Sequence, residues 1–257
     1  LDVKIKNFHT NHALYIINDN LSVLKGELTG KVLITWDKKD LSFFPRKGFR
    51  VNKFRLTNGD ERQNILHNKG FNISGGSFIL SNHRDLYLDT TIEMKNSLIP
   101  VKGYIKKDQI DLFTVDNTID LEDVGPISVT PLYGKGRINL RVIGPPGKIK
   151  FLFDTDLKDF SVVGLNLGNI KGGVSLDLTS LKLGLIGIEG DYLGNIYKGG
   201  GYLDFSKART IDLKINIQKA EYQSTLNMIN PVVKKIRRYF PEISMTYNSN
   251  LTITGTM

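Results

Sequence analysis

The sequence predicts an all-β chain of many short strands. Three observations carry this: apolar and polar residues alternate through most of its length, glycine-bearing bends recur between the alternating runs, and only one segment has helical spacing. A period of two gives a strand one apolar face and one polar face.

The runs follow in order. LDVKIKNF opens the chain in strand style. In GELTGKVLITW, residues Gly26, Leu28, Gly30, Val32, Ile34 and Trp36 share a face, opposite Glu27, Thr29, Lys31 and Thr35. The region 45–70 is more polar and irregular, and reads as a strand pair and a long loop, a possible insertion in the array. In RINLRV, Ile138, Leu140 and Val142 alternate with Arg137, Asn139 and Arg141. GPPG at 144–147 ends that strand, because proline cannot continue the ladder. In KIKFLFD, Ile149, Phe151 and Phe153 share a face. Val174, Leu176 and Leu178 alternate with Ser175 and Asp177, and Ile211, Leu213, Ile215 and Ile217 with Asp212, Lys214 and Asn216. With Leu203, these apolar positions are expected to line one interior: Leu28, Val32, Ile34, Ile138, Leu140, Val142, Phe151, Phe153, Val174, Leu176 and Leu178.

The runs NISGGSFIL, YGKGRINL, KGGVSLDL and KGGGYLDF each read as a strand begun after glycine, where positive φ or close backbone approach permits a bend. Two of them belong to near-duplicate lines, LGNIKGGVSLDL at 167–178 and LGNIYKGGGYLDF at 193–205, whose LGNI motifs lie 26 residues apart. A period of that size indicates a stacked array before it indicates a catalytic pocket.

One segment departs from this. Asn230 and Pro231 supply an N-cap and a first helical residue, so a short amphipathic helix is expected at 230–240, within a helical segment 226–241. Val232, Val233, Ile236, Tyr239 and Phe240 share one side, and Lys234, Lys235, Arg237 and Arg238 the other. Such a helix covers an open sheet edge, or lies in a groove or an interface.

The chain has 257 residues, a formal net charge of +9 and no cysteine. Its basic residues are dispersed, with one dense run, KKIRR at 234–238, and no aromatic basic motif for nucleic acid accompanies it. Disulfide and thiolate chemistry are excluded. No apolar stretch is long enough to span a membrane as a helix. The opening directly into a strand, without methionine or signal peptide, reads as a fragment of a longer chain.

No catalytic constellation emerges. His9 and His12 fall on opposite faces of a strand, which suits no shared metal; His67 and His83 read as solvated. The G-x-G of YGKGRIN opens a strand rather than a phosphate-binding helix. Asp154 and Asp156, and Asp120, Glu122 and Asp123, lack the turn and distal glutamate of a calcium loop, and read as strand-end or loop carboxylates. The expectation is a non-enzyme with no cofactor and no metal.

The stretch 133–178, followed by IEGDYLGNIYKGGGYLDF, resembles the AsmA-like and TamB-like envelope proteins, which carry many short strands of the form glycine, alternating apolar, glycine. The opening LDVKIKNF and the closing LTITGT share the style, while the C-terminal block that ends TamB-like chains is not recognisable. The resemblance implies an elongated, twisted β-taco, a U-shaped, partly open sheet with a hydrophobic interior. It implies the periplasmic part of an inner-membrane-anchored protein in a diderm bacterium. It implies phospholipid acyl chains as cargo between inner and outer membranes, and an outer-membrane barrel of TamA/BamA type as a partner. A periplasmic scaffold for outer-membrane protein assembly, or an ordinary β-sandwich or solenoid binding domain, are the alternatives.

Overall fold

A computed structural model describes residues 1–10, 24–57, 64–82, 84–125, 131–146, 148–162, 165–177, 179–206, 209–228 and 245–256. The strands are β1 (Asp2–His9), β2 (Leu24–Asp37), β3 (Asp40–Pro45), β4 (Arg50–Thr57), β5 (Asn64–Ser81), β6 (Asp85–Glu93), β7 (Leu98–Ile105) and β8 (Ile110–Thr114). They continue as β9 (Ile119–Asp120), β10 (Leu132–Gly144), β11 (Lys150–Val162), β12 (Leu165–Asp177), β13 (Lys182–Tyr192), β14 (Asn195–Asp204), β15 (Thr210–Glu221) and β16 (Thr246–Thr256). All 16 belong to one antiparallel sheet. Among the described residues two short helices, Leu121–Val124 and Tyr222–Met228, accompany it.

The sheet is a meander in sequence order. β3 and β4 together occupy one position between β2 and β5, and β8 and β9 together one beside β10. The path β1-β2-β3-β5-β6-β7-β8-β10-β11-β12-β13-β14-β15-β16 therefore extends about 60 Å at the usual ~4.8 Å spacing. The 45–70 stretch supplies its expected strand pair, but as full members of the sheet rather than as an insertion. β4 pairs with β2 and β5, so its backbone groups are satisfied in the ladder.

Bulges interrupt almost every long pairing, at Asn7, Gly75–Gly76, Gly134, Asp159, Gly172 and Gly187. Each inserts a residue with positive φ and bends the strand. One strand thus serves two walls, and the elongated sheet takes a taco-like form. The sequence reading put the glycines of the KGG and GKG runs at strand starts. They lie inside strands instead, as bends within the ladder.

The helix Tyr222–Met228 lies against β12 and β15, burying Met228 among Leu157, Ile170, Ile188, Tyr197 and Ile217. It begins upstream of the expected segment and includes Leu226. The expected helix at 230–240, with Val232, Val233, Ile236, Phe240, Lys234, Lys235, Arg237 and Arg238, lies outside the described residues, as do His12, His83 and Leu178.

Candidate functional site: an apolar trough

Register turns the alternation into continuous rows across the sheet. Directly opposed residues from β2 to β8 run Ile34–Phe43–Phe78–Leu88–Gly103–Leu112. From β10 to β16 the same row continues Val142–Phe151–Leu176–Leu183–Leu203–Ile211–Gly255. No charged residue interrupts it. A second row runs Phe153–Val174–Leu185–Gly201–Leu213–Ile253, with Leu140 opposite Phe153. A third runs Leu157–Ile170–Gly190–Tyr197–Ile217.

These rows differ in depth. Leu157, Ile170, Tyr197 and Ile217 are fully buried beside the helix. Most of the first row is only half-buried: Ile34, Phe43, Phe78, Leu88, Leu112, Val142, Phe151, Leu183 and Ile211 all retain solvent contact. The apolar face is therefore dry beside the helix and around Ile105, Ile110 and Ile149, and partly open to solvent along most of the first row. Among the described residues no second sheet covers that row.

The expected interior residues fall on these rows and their clusters. Leu28, Val32 and Ile34 pack with Phe49, Val51 and Ile73 near the β1 end. Val142 and Phe151 join Ile105, Ile110 and Ile149 in the middle. Ile138 and Val174 pack against the Leu157–Ile170 cluster. Leu176 and Leu203 are buried on the first row, while Leu140 and Phe153 are half-buried on the second. The rings of Phe151 and Phe153 stack with centroids 6.3 Å apart. Trp36 departs from expectation. It has the inward parity of Val32 and Ile34, yet is 73% exposed at the strand's end, where its Nε1 donates to the Lys38 carbonyl at 3.4 Å. It stands at the open end of the row Leu41–Leu80–Leu86–Ile105–Ile110, and the β1 pairing stops at Leu33, so no described β1 residue lies opposite it.

Reading the sequence missed Phe43, Phe78, Leu88, Leu112 and Leu183 of the first row, and put Ile211 on an apolar strand face without assigning it to the interior. The Leu41/Phe43 alternation in DLSFFP was the available signal. It also missed why Tyr197 matters. A side chain on Gly190 would collide with the Tyr197 ring, so the ring occupies that space, and its hydroxyl donates to the Leu167 carbonyl at 2.5 Å. Burial raises the Tyr197 pKa, with the Asp191 charge adding to it, so the phenol stays neutral.

The opposite face of the sheet is charged. One row runs Arg137–Asp156–Lys171–Glu189–Lys198–Asn216, alternating in sign before it turns polar. Lys171 reaches Asp156 at 3.4 Å and Lys198 reaches Glu189 at 2.6 Å. Asp156 is thus a member of a surface ladder. Asp120 caps the helical turn Leu121–Val124 by accepting from the Glu122 N–H at 3.2 Å, and pairs with Lys135 at 3.0 Å. Asp123 accepts from the Asn96 N–H and the Ser97 hydroxyl. These acids organise a loop. Among the described residues no group of three or more His, Asp or Glu side chains is placed to hold a metal, and no helix is long and apolar enough to cross a membrane.

Set against protein-family models, curated proteins and solved structures, the chain matches none. Its function is therefore argued from the trough itself.

Proposed function

We propose that this chain holds phospholipid acyl chains in its trough, as a segment of a bridge carrying lipid between two membranes of a cell envelope. The observation that carries the reading is the uncharged, mostly half-buried row from Ile34 to Ile211. Water contact on so long an apolar row is costly unless something apolar covers it. An acyl chain laid there gains roughly 0.8 kcal/mol per buried methylene. Any one position is equivalent to the next, which suits sliding cargo better than a fixed ligand. The resemblance to AsmA-like and TamB-like proteins supports the same reading, with a periplasmic location and no chemistry of its own.

The test is lipid capture. The purified chain is mixed with phospholipid vesicles, recovered by its affinity tag, and its bound phospholipid measured by mass spectrometry. Wild type is expected to retain lipid. Leu140→Asp and Leu183→Asp are expected to lose most of it while keeping a β-type circular dichroism spectrum, because a half-buried charge there still reaches water. Asn139→Asp, on the outer face, serves as control. Absence of lipid on the wild type, or full retention by both trough variants, would refute the proposal.

A second reading, a scaffold that adds strands from nascent barrel proteins, draws on the outermost strand β16. Its sequence, TYNSNLTITGT, contains no charge and no proline to protect its edge. Crosslinks from β16 to an outer-membrane barrel would favour it.

A further inference from the structure

The two long sides of the trough differ in charge, and the difference sits where headgroups would emerge. Antiparallel pairing places the β2–β3, β5–β6, β7–β8, β10–β11, β12–β13 and β14–β15 turns along one side. Beneath them lie first the row Trp36–Leu41–Leu80–Leu86–Ile105–Ile110 and then the mostly half-buried first row. On this lip Lys38, Lys39, Arg84, Lys107, Lys148 and Arg209 stand exposed. Two of its carboxylates are committed to their own turns: Asp177 binds the Thr179 and Ser180 N–H groups, and Asp204 binds the Ser206 N–H. Asp37 and Asp108 remain exposed, and Asp40 and Asp85 half-buried; with Lys106, Lys150 and Lys182 at the same strand ends, nine cations stand against six carboxylates and the described part of the lip is basic on balance. The described part of the opposite lip carries Glu93, Asp120, Glu122, Asp123, Asp159, Asp191 and Glu221 against Lys95, Lys135 and Lys158, so it is acidic on balance.

Trp36 marks the same boundary. It stands exposed at the end of the apolar face, hydrogen-bonded to the turn that carries Lys38 and Lys39. An indole beside cations suits the level where acyl chain gives way to headgroup. Beneath the lip the environment takes alkyl chains, and at the lip it takes negative charge.

Resting on the lipid-trough reading, we propose that the basic lip selects the cargo: anionic phospholipids are held in preference to zwitterionic ones, their headgroups along the turns and their acyl chains on the first row. Vesicles of equal phosphatidylglycerol and phosphatidylethanolamine content give the test, with both lipids quantified on the recovered protein. Wild type is expected to enrich phosphatidylglycerol about fivefold, the size that one basic side chain near an anionic surface supplies. Lys38→Glu/Arg84→Glu/Lys148→Glu is expected to return the ratio to that of the vesicles, with total lipid little changed. A control of equal charge change away from this lip, Lys95→Glu/Lys158→Glu/Lys214→Glu, is expected to keep the enrichment. Molar salt is expected to abolish the enrichment while leaving uptake intact. Total lipid and lipid ratio separate the two proposals. No lipid on wild type overturns both. Lipid captured at the vesicle ratio, or an enrichment that survives the lip variant or falls equally in the control, overturns the headgroup selection and leaves the trough.

Discussion

Gly201 sits in a row of valine, leucine and isoleucine, and its backbone explains the exception. Its φ is 140°, and a Cβ there would lie 2.0 Å from the Asp212 carbonyl oxygen. Gly201→Ala is therefore expected to destabilise the fold by about 1–3 kcal/mol in urea titration, from strain rather than lost contacts. Tyr197→Phe tests the buried hydroxyl and is expected to cost about 0.5–1.5 kcal/mol, since the ring still fills the space over Gly190. Asp120, only 1% exposed, gives a pH signature. Burial pushes its pKa up, but the Lys135 ammonium and the hydrogen bonds from Glu122 and Asn96 outweigh that, and the carboxyl sits below its ordinary value. A depressed folded-state pKa stabilises the fold above the unfolded value of about 3.9, and the contribution fades as pH falls through the lower folded value. Asp120→Asn is expected to be less stable than wild type at pH 7 by about 1–3 kcal/mol, with the gap closing in acid titrations below pH 4.

Strand identity was legible in the sequence because a period of two is written locally. Register was not, because it depends on which residue of a distant strand lies opposite. The duplicated lines show the distinction. Their LGNI motifs are 26 residues apart, but Ile170 shares a row with Tyr197, 27 residues on. Lys171–Asp177 and Lys198–Asp204 are the true structural equivalents, while Ile170 is buried and Ile196 is exposed. The inserted Tyr197 shifts the phase by one, and one residue exchanges the faces of a strand. The bends were half legible: glycine marked them, but Asn7 and Asp159 adopt positive φ without any glycine signal. The role of Asp120 as a cap depended on a helical turn too short to show periodicity. Among elements, the outer charged row is a weak source of stability, because its members are exposed. Glu189→Gln is expected to change stability by less than about 0.5 kcal/mol.

At the scale of the molecule, strands come in pairs that preserve both face and direction. Excising 171–197 joins Ile170 to Lys198, which occupies the row position of Lys171. The shortened chain is expected to retain a β-type spectrum, with a long axis about 10 Å shorter in small-angle scattering, two strand spacings less. Excising one strand alone would send every later turn to the opposite lip, and is expected to abolish folding. A sheet that stacks along one direction also has a consequence for its motions. Each strand is held chiefly by the two beside it, so opening spreads inward from an end instead of releasing the whole at once. Amide hydrogens of β1 and β16 should exchange with deuterium first, those of β10 to β12 last, in a graded order that follows position in the sheet rather than position in the core of a globule.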